Sequence, residues 1–422
     1  MTVIEILARA RTTGGAPVER LVCHPRLPLV AGLDSERPAV RVWDCGAGQL
    51  REVGCTGGES DAYGDAPGWE RYQRIPVPAW HPERAELLIS GEGGVVRWTP
   101  EGVSDADGVP DGARYQNLAF SPDGRTLWAS PPAAAEDDSY EHSDAIDLPT
   151  GTVVAGPWWD TGVAEHPGGG LVLTLSSDQG ATHGLFARAQ NDAGSAGAPL
   201  RVLQRALILD CDGYEKPVFS ADGRHFAIRG NAYDNSVDVF AFPSLERVLS
   251  TTLGDPSPGY PYPPEWLERM RAWSRHNLAF GTDPGVLWVG TPKGTLVALD
   301  LDSKEGEEHT VLDGSPVTAL TSTTAGELLV GTAAGELALL SVPGRTADPD
   351  IAKAAVAEFL HSTSEVPEDA CEGRDLEEHL VVTDGFRTWS AADLDAADAA
   401  TDADPSWLQI QAAVNSLRDQ EP

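Results

Sequence analysis

The sequence predicts an all-β protein: a seven-bladed β-propeller of four-stranded antiparallel blades, followed by a small C-terminal α/β appendage. Three observations carry that expectation. A unit of short apolar strands and tight turns recurs between about residues 16 and 342. The turn joining its first two strands can be found seven times, and its shortest spacings, 40, 41 and 45 residues, fit one propeller blade. After Arg345 the apolar period changes from that of strands to that of helices.

The first unit runs Arg20-Leu-Val-Cys-His24, a turn at Pro25 to Pro28, Leu29-Val-Ala-Gly32, Val40-Arg-Val-Trp-Asp44, and a fourth strand at Gln49 to Val53. The landmark turn then recurs as His81-Pro82, Ser121-Pro-Asp-Gly124, His166-Pro167, Ser220-Ala-Asp-Gly223, Thr282-Asp-Pro-Gly285 and Thr323-Thr-Ala-Gly326. Such turns have a physical logic: Pro presets φ, Asp caps the backbone and Gly takes the positive φ. His24, His81 and His166 hold one slot in three units, which suits turn capping better than a metal cluster. The blades are placed at 19–53, 75–100, 116–156, 161–205, 215–252, 276–312 and 316–342.

Trp43-Asp44 closes a third strand, Leu299-Asp300 and Ile146-Asp147 hold the same place, and Trp98-Thr99 keeps the Trp alone. In this the chain resembles the WD40-repeat family over about three quarters of its length, although the family's Gly-His before the first strand is missing in every repeat. The resemblance implies a closed ring. Blade seven lacks a fourth strand of its own before Pro343, and Thr2-Val-Ile-Glu-Ile-Leu7 is a β-rich segment without a blade. That segment is expected to supply the missing strand; Leu380-Val-Val-Thr383 is the other candidate.

The propeller is assigned to 1–345 and the appendage to 346–422. In the appendage, Asp348-Pro349 and Asp404-Pro405 read as helix starts, with Asp as N-cap and Pro at the first position. Ile351, Ala355, Phe359 and Leu360 form one apolar face, and Trp407, Ile410, Val414 and Leu417 another. Between them, Asp384-Gly385 marks a hairpin turn. The apolar faces suit packing on the chain itself, or docking of a partner.

Composition narrows the function. The 422 residues hold 65 acidic and 30 basic side chains, a net charge of −35, and only four of the basic residues are Lys. Duplex phosphates are bound by Lys and Arg, so nucleic acid is not the expected partner. No apolar run approaches the roughly 18 residues of a membrane span. Five cysteines without a C-x-x-C pair, and a start without a signal peptide, suggest reduced thiols and a cytoplasmic protein. Abundant Ala, Gly, Pro, Asp and Arg resembles a high-GC bacterial source, such as an actinobacterium. Residues 346–422, 131–147 and 101–113 carry −14, −6 and −4, together −24 of the −35. Clustering of this kind points to a basic partner rather than to salt adaptation.

Loops carry function on rigid scaffolds. In a blade of this type, loops joining strand four to the next blade share a face with loops joining strands two and three. Gly54 to Arg74 and Asp255 to Arg275 are insertions of the first kind, and Pro131 to His142 of the second. They place Tyr63, Trp69, Tyr72, Tyr260, Tyr262, Trp266 and Trp273 as apolar anchors, with Glu136, Asp137 and Asp138 as an acidic rim. The chain is therefore read as a non-enzymatic scaffold, monomeric or part of a hetero-complex, binding a protein with a basic surface and needing no cofactor. The alternative is a metal-dependent hydrolase of the propeller-lactonase type. Its ligands would be Asn117 and Asn277, at the starts of matching Asn-Leu-Ala-Phe segments, with Glu165 and Glu215 at the central channel.

Overall fold

The structure is a computed structural model and describes residues 4–64, 68–131, 142–178, 180–188, 199–230, 234–366, 380–397, 399–402 and 404–418. Seven sheets, each built on four antiparallel strands, close a ring. Blade one is Val18–Cys23, Leu29–Asp34, Val40–Asp44 and Arg51–Thr56. Blade two is Val77–Trp80, Leu87–Gly91, Gly94–Thr99 and Gly102–Asp105; blade three is Asn117–Phe120, Thr126–Ser130, His142–Asp147 and Thr152–Pro157. Blade four contributes Ala164–Glu165, Leu171–Asp178, Ala181–Arg188 and Arg201–Leu209. Blade five contributes Val218–Phe219, His225–Arg229, Ser236–Ala241 and Arg247–Thr252. Blade six is Leu278–Phe280, Val286–Gly290, Leu296–Asp300 and Gly306–His309. Blade seven takes Val317–Ser322, Leu328–Thr332 and Glu336–Ser341 from one end of the chain and Glu5–Arg11 from the other.

The fourth strand of blade seven is thus the N-terminal one, antiparallel to Glu336–Ser341 with Arg11 opposite Glu336 and Glu5 opposite Ser341. Arg9 fixes this seam, its guanidinium 2.8 Å from both Asp313 and Glu336.

Alternation along each strand sends apolar side chains to both faces of a blade, and neighbouring blades interleave them. The outcome is seven apolar clusters, one in each interface between adjacent blades. Trp43, Trp98, Trp128 and Trp288 fill four of them. The Asp that ends a third strand caps the turn after it: Asp44 accepts from Gly46 N at 2.9 Å, and Asp300 from Ser303 N at 2.7 Å.

The landmark turns do more than reverse the chain. His24 Nδ1 accepts from Arg26 N and Leu27 N, both at 3.0 Å, while Nε2 reaches Arg84 O in the matching turn of blade two at 2.8 Å. His81 repeats this, accepting from Glu83 N and Arg84 N, with its ring against Gly124 of blade three. Gly124 has φ +68° and no room for a Cβ beside that ring. His166 reaches Gly223 O of blade five at 3.0 Å, and Thr282 Oγ1 donates to Gly326 O of blade seven at 3.1 Å. The turn slot therefore stitches each of these blades to a neighbour.

This predicts an acid sensitivity. Burial lowers His24, His81 and His166 below the ordinary histidine value, His81 to about 4. Unfolded imidazoles take up protons near pH 6.5 and the folded ones do not. The unfolded state then binds more protons, so stability falls as pH drops from about 6.5 toward 4. His81→Asn keeps a turn-capping acceptor without a titrating ring. Denaturant unfolding at pH 7.5 and pH 5 should show a shallower loss for the variant than for the parent; equal losses would exclude this role.

The C-terminal segment is built into the ring. Helix α3 (Pro349–Ser362; α1, Gly68–Arg74, and α2, Pro264–Arg271, lie in loops of the ring) starts where Asp348 accepts from Asp350 N at 3.0 Å. It buries Ala352, Val356 and Phe359, with Val356 and Phe359 in the interface of blades four and five. Strand Leu380–Thr383 does not close blade seven. It runs parallel to the outer strand of blade four, Leu380 opposite Arg205, and with Thr388–Ser390 it makes that sheet six-stranded.

Helix α4 (Ala391–Asp395) and helix α5 (Ser406–Arg418) follow. Of the face expected on α5 only Trp407 packs on the chain, its ring 4.8 Å from that of Trp389. Ile410, Val414 and Leu417 are exposed, and Leu408, Ala412 and Asn415 point inward. The reason is polar: Asn415 Nδ2 donates to Leu394 O at 2.7 Å and Ala397 O at 3.0 Å, tying α5 to the end of α4 and the turn after it. Among the described residues no helix is long and apolar enough to cross a membrane, and Cys23, Cys45, Cys55 and Cys211 are free thiols. Cys371 lies outside the described residues.

Candidate interaction face

Antiparallel order puts the loops between second and third strands, and those leading to the next blade, on one face. The insertion after blade one is held down tightly. Tyr63 N donates to Glu36 O at 2.8 Å. Helix α1 (Gly68–Arg74) sets Arg71 and Arg74 over the Tyr63 ring, at 4.8 and 5.6 Å from its centroid. Arg71 also pairs with Glu19 and donates to Ser35 O at 3.1 Å. Tyr63 is thereby buried, and burial pushes its phenol pKa up. It anchors its own loop and offers no free surface. Tyr72 is exposed. The side chain of Trp69 and residues Glu136, Asp137 and Asp138 lie outside the described residues.

The insertion after blade five forms helix α2 (Pro264–Arg271). Trp266, expected as an exposed anchor, is buried instead. Its Nε1 donates to Asp255 O and Pro256 O, at 3.2 and 3.0 Å, because a buried indole N–H needs an acceptor and the Pro-rich arm supplies two. Tyr262 stacks on it with centroids 5.1 Å apart, and Tyr260 meets Tyr262 edge-on at 6.1 Å. Tyr260 stands 89% exposed at the tip of this aromatic stack.

Arg229 ties the insertion to the ring. Its guanidinium donates to Asn277 Oδ1 at 3.1 Å, Asn235 Oδ1 at 2.7 Å and Ser274 O at 3.3 Å, and Asn235 donates in turn to Met270 O at 3.0 Å. Burial lowers the Arg229 pKa to about 10. Between α2 and blade six this leaves a groove of about 450 Å³. Trp266, Met270, Trp273, Leu253 and Val297 line it, and Arg269, Lys293, Asp255 and Glu308 place charges around them. Trp273 can form a wall there because residue 254 is Gly, with φ +81° and the indole where a Cβ would stand.

Three of the residues proposed for a metal, Asn117, Asn277 and Glu215, have polar protein partners. Asn277 is fully buried with both amide functions engaged: Oδ1 accepts from Arg229, and Nδ2 donates to Gly290 O at 2.8 Å. Asn117 Nδ2 donates to Asp160 O at 3.0 Å, and Glu215 lies 3.5 Å from His276 Nδ1. Glu165 is raised by burial, with Arg26 and Lys216 acting against the shift. Among the described residues no group of three His, Cys, Asp or Glu could hold a metal ion. The matched Asn-Leu-Ala-Phe segments serve blade packing: each Asn secures the start of an inner strand.

No protein-family model matches the chain, and no curated protein matches it significantly. Sequence reasoning located both aromatic insertions but missed Arg229, Asn235 and Lys293, which shape the groove. Asn235 and Lys293 stand in loops between second and third strands, so the landmark-turn alignment gives the only signal for their shared face.

Proposed function

We propose that the chain is a non-enzymatic protein-interaction scaffold, a propeller of degenerate WD40 type from a bacterial cytoplasm, binding a protein with a basic surface. The observation that carries this is the groove beside α2 together with the exposed Tyr260 stack. A rigid, aromatic-walled cleft with charges of both signs around it is what a partner's side chains need for anchoring. The net charge of −35 supports a basic partner, since complementary fields speed encounter and reject acidic competitors.

The test uses substitutions that spare the fold. Tyr260→Ala removes an exposed ring and Glu308→Lys reverses an acidic charge at the groove. Together they should abolish capture of the partner that the parent retains from its native host, with the thermal transition unchanged. Retention by the double variant would overturn the groove as the binding site.

A further inference from the structure

Two carboxylates border the groove beside α2, and they differ in what already holds them. Asp255, on the α2 side, pairs with Arg269 at 2.7 Å. Glu308, on the blade-six side, makes no salt bridge among the described residues, although Lys293 borders the same groove.

A relay of hydroxyls fixes Glu308. Thr291 Oγ1 accepts from Lys293 N and Thr295 N, both at 3.2 Å, which uses both of its lone pairs. Its proton therefore goes to Thr295 Oγ1, 2.7 Å away, and the Thr295 proton goes to Glu308 Oε1, also at 2.7 Å. Both threonines are buried. Glu308 ends the relay as acceptor, and its Oε2 has no hydrogen-bond partner among the described residues. Val297 stands directly opposite Glu308 in blade six, so the two share one face of the sheet. Val297 and Trp273 pack on the same apolar cluster. The carboxylate is thus held at the margin of a 450 Å³ groove walled by Trp266 and Trp273.

We infer that Glu308 and the two indoles receive an arginine side chain of the partner. This deepens the reading of the groove as a partner site and rests on it. A guanidinium fits each part: its flat, weakly hydrated face lies against Trp, and its N–H fork meets a carboxylate of set orientation. An ammonium keeps more of its water and gains less from indole walls. An anion is the poorer occupant. Arg269 is held by Asp255, and the Lys293 ammonium has no hydrogen bond among the described residues, so its long stem must be ordered at an entropic cost.

The probes are phenylguanidine, phenylurea and benzoate: one aromatic body carrying a cation, a neutral isostere and an anion. Their binding to the full chain is measured by saturation-transfer NMR at neutral pH and constant ionic strength. Phenylguanidine should bind about tenfold more tightly than phenylurea, as a charge-assisted pair does against a neutral one. Benzoate should bind no better than phenylurea. Glu308→Gln keeps the shape, removes the charge and should bring phenylguanidine down to the level of phenylurea. Glu307→Gln controls for the general field of an acidic protein, since alternation sends that side chain to the other face of the strand. It should change nothing. Equal affinity for phenylguanidine and phenylurea overturns the inference, as do equal losses in the two Gln variants or benzoate as the tightest probe.

The capture experiment fails separately. Capture lost in the Tyr260→Ala, Glu308→Lys variant, with no preference for phenylguanidine, keeps the groove as the partner site and removes arginine as its occupant. Capture retained by that variant removes the groove, and this inference with it.

Discussion

Phe359→Ala should destabilise the whole ring by about 3–5 kcal/mol, the cost of deleting a buried aromatic ring from a packed core. Phe359 is 3% exposed, and its ring lies 5.6 Å from Phe186 of blade four and 5.2 Å from Phe242 after the third strand of blade five. A loosely attached appendage would lose only its own order on this substitution. Here the helix fills an interface between blades, so the cavity opens inside the propeller. Denaturant unfolding followed by tryptophan fluorescence reports on the ring, since Trp43, Trp98, Trp128 and Trp288 all sit between blades. Leu417→Ala is the matched control: it lies on the exposed face of α5 and should change little. If both variants unfold like the parent, the C-terminal segment does not belong to the core.

Removal of residues 1–11 should be more damaging still. It leaves blade seven with three strands and unpairs the backbone along Glu336–Ser341. It also strips Leu7 and Ala8 from the cluster joining blades seven and one. A ring opened at one seam loses cooperativity as well as contacts, and the expected loss is on the order of the 5–15 kcal/mol that holds a typical domain folded. The bared edge invites pairing with another chain, so the truncated protein should also self-associate. Light scattering and thermal unfolding check both outcomes, and a synthetic peptide of residues 2–11 added in trans should reverse them. A truncated protein that stays monomeric with an unshifted transition would refute this account of closure.

Much of the architecture is legible because propellers repeat. Seven turns of similar chemistry mark seven blades, and a missing fourth strand after Leu337-Ala-Leu-Leu340 identifies the N-terminal strand as its replacement. The destination of Leu380–Thr383 was not legible. A run of three apolar residues and a Thr fits any exposed edge, and tertiary packing, with Val381 against the cluster that α3 shares with blades four and five, selects blade four. The orientation of α5 misleads for a related reason: apolar spacing nominates Ile410, Val414 and Leu417, whereas Asn415 turns inward to donate to the carbonyls of Leu394 and Ala397.

The candidate site divides in the same way. Insertions rich in Tyr and Trp announce a decorated face, but spacing does not reveal which rings turn inward. Tyr63 and Trp266 are buried by partners distant in sequence or carried on an irregular arm: Glu36 O and Arg71 in one case, Asp255 O and Pro256 O in the other. Tyr260 alone of that stack remains free to reach outward.

The pairing of Arg11 with Glu336 has a consequence for synthesis. These partners are 336 − 11 = 325 residues apart, so the first strand must wait while six blades and most of a seventh are made. At ribosomal rates of about 5–20 residues per second, that wait is roughly 15–65 s. Throughout it the nascent chain carries an unpaired β-strand, the period in which a chaperone would find most to hold.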